Sequence, residues 1–192
     1  MNLRILTAAM LIPLSATAAL SPVEKVEAPG GKMVYYIQGD AETKGTEDYV
    51  GGEQITAQNT ISGKQEILLT AASDADPKKT LYGFSRLKLS QDAKTLYFET
   101  AAWATSAAIH ALDIASHHQR YVTDGSLICI VASGKYQGNL IVQQHRYFVQ
   151  GGAYDYLYLF DNTGKKIGLV AGDNVTQEQV SDFCESLNGS ES

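Results

Sequence analysis

Apolar and polar positions alternate in short runs along most of the chain, broken by polar, glycine-containing stretches. That is the period-two signature of antiparallel strands joined by turns. The densest example is the stretch from Leu87 to Asp124, LKLSQDAKTLYFETAAWATSAAIHALDIASHHQRYVTD. Residues 95–100 and 108–112 read as the two strands of a hairpin, with a polar turn at 90–94 before it and another at 113–118 after it. The tip, residues 101–106, carries the single tryptophan, Trp103. Alanine richness over 101–111 favours a helix on propensity alone. Thr100, Thr105 and Ser106 compete for backbone hydrogen bonds, however, and Asp113 stands where a strand-ending turn is needed. A hairpin is therefore expected.

Further strands flank this unit. Lys32 to Ile37 and Gln65 to Thr70 are rich in β-formers, and 54–60 alternates weakly before a Ser62-Gly63-Lys64 turn. Residues 39–52 form a long acidic, glycine-rich loop with no assignable role, and 73–79 is a second turn-rich loop punctuated by Pro77. Downstream the pattern recurs: a turn at 132–135, a strand over 140–149, a Gly-rich tip at 150–153, a returning strand over 155–160 and a far turn at 161–166. Lys94 to Lys135 and Asp113 to Asp161 are offset by 40 to 50 residues, a period typical of propeller blades. The one clear helix is at the end, about 177–187. Thr176 and Gln179 fit a capping box; Val180, Phe183, Cys184 and Leu187 make one apolar stripe, and Gly189 ends it.

LSQDAKTLYF followed by AAIHALDIASHHQRYVTDG resembles one blade of the bacterial β-propeller repeats with a Ser-Pro-Asp-Gly-Lys turn, a strand, a loop and an Ile-Tyr-x-x-Asp run. Gln91 stands where the repeat has Pro, and Ala93 where it has Gly. About 40 residues match well, and 133–166 loosely. The resemblance implies an all-β fold of antiparallel, propeller-like meander sheets, with a β-sandwich as the alternative. About 174 residues allow at most four blades.

Residues 1–18 change the expected location. Arg4, the apolar run from Ile5 to Leu14 and Ala16-Thr17-Ala18 have the form of a secretory signal peptide cleaved after Ala18. A spanning helix needs about 20 apolar residues, and Pro13 and Ser15 interrupt a shorter run. Residues 19–31, with Pro22, Pro29, Gly30 and Gly31, read as a flexible entry segment, leaving 32–192 as one β-rich domain. The expected location is the periplasm or the exterior, with no membrane insertion. A net charge of −6 argues against nucleic-acid binding, since phosphate backbones attract the opposite sign. Cys129 and Cys184 lack metal or redox spacing, and in an oxidising compartment a disulfide between them is expected.

Catalytic signatures are absent. There is no nucleophile elbow, phosphate loop or dinucleotide motif, and no cofactor is expected. His110, His117, His118 and His145 lack metal-ligand spacing and read as solvent-facing residues, so no metal is expected. Glu99 and Asp155 flank equivalent tips and form the weak case for a glycosidase-like pair. The polar run Gln143-Gln144-His145-Arg146 interrupts an apolar strand. It reads as an exposed edge, with a buried polar network or site as the alternative. Equivalent hairpins would set Trp103 and Tyr154 at matching tips beside Asp155 and Tyr156, as contact anchors or as core packing. The expected function is that of an exported non-enzymatic binding protein contacting a protein or envelope polymer. The alternatives are a hydrolase built on Glu99, Asp155 or His145 and an inhibitor-type protein.

Overall fold

A computed structural model describes residues 20–47 and 50–187; the signal-peptide segment and Gly189 lie outside them. Twelve strands form three four-stranded antiparallel sheets, each a meander in chain order. The first holds β1 (Ser21–Glu27), β2 (Met33–Gly39), β3 (Gln54–Asn59) and β4 (Gln65–Thr70). The second holds β5 (Ser85–Leu89), β6 (Thr95–Trp103), β7 (Ser106–Asp113) and β8 (Gln119–Asp124). The third holds β9 (Ser126–Ile130), β10 (Leu140–Tyr147), β11 (Ala153–Phe160) and β12 (Lys166–Ala171). The helix α1 is Gln177–Glu185, shorter at its end than the apolar stripe suggests. Thr176 and Gln179 close both halves of its capping box.

The sheets pack in sequence through their first strands, β1 against β5 and β5 against β9. This is a propeller-like fan, not two sheets face to face. Val23, Ile37, Ile55, Phe84, Leu87, Leu96 and Phe98 fill the first joint. Tyr97, Ile109, Leu127, Leu140, Val142 and Phe160 fill the second. The far face of the third sheet (Val131, Ile141, Leu157, Leu159) is covered by Val180, Phe183, Cys184 and Leu187 around α1. No residue of α1 is fully buried. The Cys129–Cys184 disulfide and the Ala132 amide donating to the Cys184 carbonyl (2.7 Å) hold it in place.

Three expectations are corrected. Ser21–Glu27, read as part of a flexible entry segment, is strand β1, paired with β2 along its length. Alternation is weak there because only Val23 of the strand is buried. The Gln143–Arg146 run is not on an edge strand: β10 lies between β9 and β11, with β9 pairing as far as Gln143 and residues 144–146 pairing with β11 alone. The 101–106 tip is tighter than expected, since pairing continues to Trp103↔Ser106 and leaves only 104–105 as loop. Strands β8 and β12, not identified from the pattern, complete the second and third sheets.

The departures from the repeat turn have physical consequences. Ala93 occupies the glycine position with φ +56°, a left-handed conformation that costs an L-residue roughly 1–2 kcal/mol. Gln91 replaces the rigid Pro with a bridge between sheets. Its amide donates to the carbonyls of Val131 (3.1 Å) and Ala132 (2.7 Å), and its oxygen accepts from Gln137 (2.7 Å).

Ala93→Gly is expected to raise the unfolding free energy by about 1 kcal/mol, measured by urea denaturation. Replacing both cysteines by Ser is expected to lower it by about 4 kcal/mol, from loss of a cross-link spanning 55 residues.

Candidate functional site

The β6–β7 tip, the β8–β9 link and the β10–β11 tip all emerge at one end of the fan. The β4–β5 connection joins them there, since the Ala101 amide donates to the Tyr82 carbonyl (2.8 Å). A groove of about 350 Å³ opens among them, lined by Lys78, Trp103, Thr105, Ser106, Tyr121, Asp124, His145 and Arg146. The two hairpins thus share a rim: Trp103, 38% exposed, faces the same groove as Arg146, whose cross-strand partner is Tyr154.

Asp124 anchors the floor of the groove. Arg146 donates to it through both terminal nitrogens (2.6 and 3.0 Å) and also to the His145 carbonyl (2.8 Å). The bond to Asp124 is the main cause holding the Arg146 guanidinium above its ordinary pKa. Gln144, 1% exposed, donates to Asp124 (2.9 and 3.1 Å) and to the Thr123 hydroxyl (3.2 Å). Its oxygen is buried without a hydrogen-bond partner among the described residues. The backbone reaches this packing through Gly125, at φ +122°, where a Cβ would stand 2.5 Å from the Gln143 carbonyl. Of the polar run only Gln144 is buried; Gln143, His145 and Arg146 are half-buried, so the network reaches from the joint to the groove.

Alternation along β11 puts Tyr154, Tyr156, Tyr158 and Phe160 on one face, with Arg146 beside Tyr154. The rings of Phe148, Tyr154 and Tyr156 follow one another at centroid spacings of 4.6 and 4.4 Å. Lys166 lies 3.7 Å over Tyr158. Asp155 is on the opposite face, where it meets His145 (2.9 Å). Tyr147 and Phe148 are exposed and Val149 wholly so. The sequence pattern placed these three at the end of the strand, which stops at Tyr147. The signal was the Gly151-Gly152 pair, which places the tip immediately after them.

The histidines do not all face solvent. His110 is fully buried, stacked on Phe98 and hydrogen-bonded to Thr100 (3.1 Å) and Gln119. Burial pulls its pKa down to about 4, so the ring is neutral. Among the described residues, no group of three His, Cys, Asp or Glu is placed to hold a metal ion. Glu99 is sealed in the second joint at 3% exposure, accepting from the Leu127 amide (2.5 Å) and facing Arg86 (3.4 Å). Burial raises its pKa to about 7, against the opposing pull of the Leu127 amide and Arg86. Asp155 stands exposed on the third sheet, bonded to His145, while Glu99 is enclosed between the second and third. The pair flanks no common opening through which a sugar could reach both.

No protein-family model and no curated protein sequence matches the chain. Solved structures of similar fold include an acylaminoacyl peptidase in complex with Z-Gly-Gly-Phe-chloromethyl ketone (14% identity, TM-score 0.53, covering 81% of this chain and 25% of that one). Another is the Pyrococcus horikoshii acylaminoacyl peptidase (13%, TM-score 0.52, 83% and 26%). The β-propeller domain of the Trilobed protease from Pyrococcus furiosus also matches (12%, TM-score 0.49, 82% and 43%). The likeness is one of fold. The chain spans about a quarter of the length of the two acylaminoacyl peptidases. No described helix is long and apolar enough to cross a membrane.

Glu99 and His110 oppose each other in pH dependence. Glu99 has a folded pKa above its ordinary 4.5, so the folded state holds more protons and stability falls as pH rises from 4.5 to 7. His110 has a folded pKa below its ordinary 6.5, so stability falls as pH drops from 6.5 to 4. Each effect is on the order of 3 kcal/mol, and between pH 4.5 and 6.5 they offset. Thermal unfolding of Glu99→Gln is expected to show a melting temperature that drops steeply with acidification through that window. His110→Gln is expected to show the reverse slope, with the wild type flatter than both.

Proposed function

We propose that this is an exported, non-enzymatic binding protein that contacts a protein or envelope polymer through the rim formed by its aromatic hairpin tips. The observation that carries the reading is the shared groove. Trp103 on one hairpin and Arg146 on the next face a single opening, and exposed Tyr147, Phe148 and Val149, with half-buried Tyr154 and Tyr156, lie on the same hairpin as Arg146. Large aromatic side chains on short, fully paired hairpins bury much area while losing little conformational entropy, which makes them efficient anchors. Isolated exposed apolar residues need no explanation, but a contiguous aromatic rim does. Export is supported by the signal-peptide form of residues 1–18 and by the disulfide, which persists in oxidising compartments. Tyr154, Asp155 and Tyr156, with His145 and Arg146, are the residues assigned to contact alongside Trp103.

The rim is tested by affinity capture from envelope extracts with the wild type, with Trp103→Ala/Tyr154→Ala, and with Ile61→Ala. Ile61 is an exposed apolar residue of the β3–β4 turn, at the opposite end. Captured species are expected to fall at least tenfold with the double variant and to stay unchanged with Ile61→Ala, with circular dichroism confirming that all three fold. Equal capture by all three would remove the rim from the binding function.

A further inference from the structure

We propose that the groove between Trp103 and Arg146 is a subsite for a carboxylate-bearing saccharide, an inference that rests on reading this rim as the binding end. Three features of the lining select that chemistry. Trp103 and Tyr121 bring flat aromatic surface to a shallow opening, suited to the C–H face of a sugar ring rather than to a deep apolar anchor. The Thr105 and Ser106 hydroxyls supply donors and acceptors on one side. On the other, Asp124 is already fixed by Arg146 and Gln144. A carboxylate has about four lone-pair positions, so Asp124 retains capacity for a ligand hydroxyl without having to reorder.

Lys78 is the third feature. Its ammonium lies 5.6 Å over the Tyr121 ring. No ion pair to a carboxylate is found for it among the described residues, whereas neighbouring Lys79 pairs with Asp76. A cation at the mouth of a groove in a chain of net charge −6 is the complement of an anionic ligand. Arg146, by contrast, is neutralised by Asp124, so Lys78 is the group that selects a charged sugar over a neutral one.

An acidic peptide is disfavoured by the topology. Trp103, Ser106 and Arg146 come from β6, β7 and β10, strands of two different sheets, so no single backbone edge runs along the groove for strand addition. The lining is too polar for the apolar face of a helix.

The full chain contains one tryptophan, and it sits in this groove, so its fluorescence reports occupancy directly. Titration with tetragalacturonate is expected to give a saturable change, with maltotetraose binding about tenfold more weakly and a polyglutamate peptide giving none. Lys78→Gln is expected to bring tetragalacturonate down to the level of maltotetraose while leaving maltotetraose unchanged. Thr105→Ala is expected to weaken both. Polyglutamate binding as well as the acidic sugar, or a preference that survives Lys78→Gln, would overturn the saccharide assignment. Failure of every saccharide while rim-dependent capture persists would overturn this subsite alone. Loss of rim dependence in capture would instead overturn the reading beneath it.

Discussion

Each of the three sheets has an apolar face that its own strands cannot cover, and the fold is the solution to that one constraint. The second sheet is covered on both sides, by the first through Phe84, Leu96 and Phe98 and by the third through Tyr97, Ile109 and Val142. The third would be left with Ile141, Leu157 and Leu159 facing water, and α1 lies over them. At the other end the outer face of the first sheet is polar. Gln38 and Gln65 both donate to the Thr56 hydroxyl (3.2 and 3.1 Å), and Tyr36 donates to Gln58 (3.2 Å). The stack thus closes with a hydrogen-bonded polar surface on one side and a cross-linked helix on the other, the two ways a layered array avoids exposed apolar faces. The helix is too polar to dock by burial alone, which is why the disulfide matters.

Apolar contact between sheets is non-directional, so something else must set their relative positions. Hydrogen-bonded polar groups do so here, Glu99 and Gln144 among them fully buried. Glu24 on β1 accepts from the Leu87 amide of β5 (2.7 Å), and Glu99 on β6 accepts from the Leu127 amide of β9 (2.5 Å). In each joint a carboxylate from one sheet meets a backbone amide in the first strand of the next. Gln91 ties the far side of the second joint, and the Asp124–Gln144–Arg146 network ties its near side. Slipping the third sheet by one residue would leave several of these groups buried and unpaired, at roughly 1–3 kcal/mol each. The same network that aligns the sheets also holds the floor of the groove rigid.

Much of this was legible in the sequence, for reasons that vary by element. The β6–β7 hairpin stood out because both its turns carry strong local chemistry. The helix was visible through its capping box, and the disulfide through two lone cysteines on apolar segments. What stayed hidden is what depends on neighbours far along the chain. Residues 96–100 are buried on both faces because two sheets cover them, while β12 shows little pattern because one face is open and Gly168 interrupts it. The fate of Gln144 and Arg146 depended on Asp124, twenty and twenty-two residues away in another sheet, and no local periodicity encodes that. His110 looked like a surface residue because its partners Phe98, Thr100 and Gln119 converge only once the strands pair.

The two ends of the fan also differ in kind, and the difference argues for where ligand chemistry belongs. At the far end four of the turns are closed by an acidic or amide side chain hydrogen-bonded within its own loop. Asp92 accepts from Ser90 and Lys94, Asp113 from Ser116, Asp161 from Thr163 and Lys165, and Asn59 from Ile61 and Ser62. Those bonds hold the carboxyls of Asp92, Asp113 and Asp161 below their ordinary pKa. Such turns repeat because strand pairing demands them, and their polar groups are already engaged. The near end follows that rule only in part: the β4–β5 connection is closed by Asp74 and Asp76, which accept from the Asp76 and Lys78 amides, whereas the two hairpin tips share no such closure. One is two residues long and carries Trp103; the other presents Tyr147, Phe148 and Val149 around a glycine pair. Turn closure needs none of these side chains, and water disfavours them. At the near end such side chains stand beside the charged groups of one groove, and the proposed binding role rests on that juxtaposition.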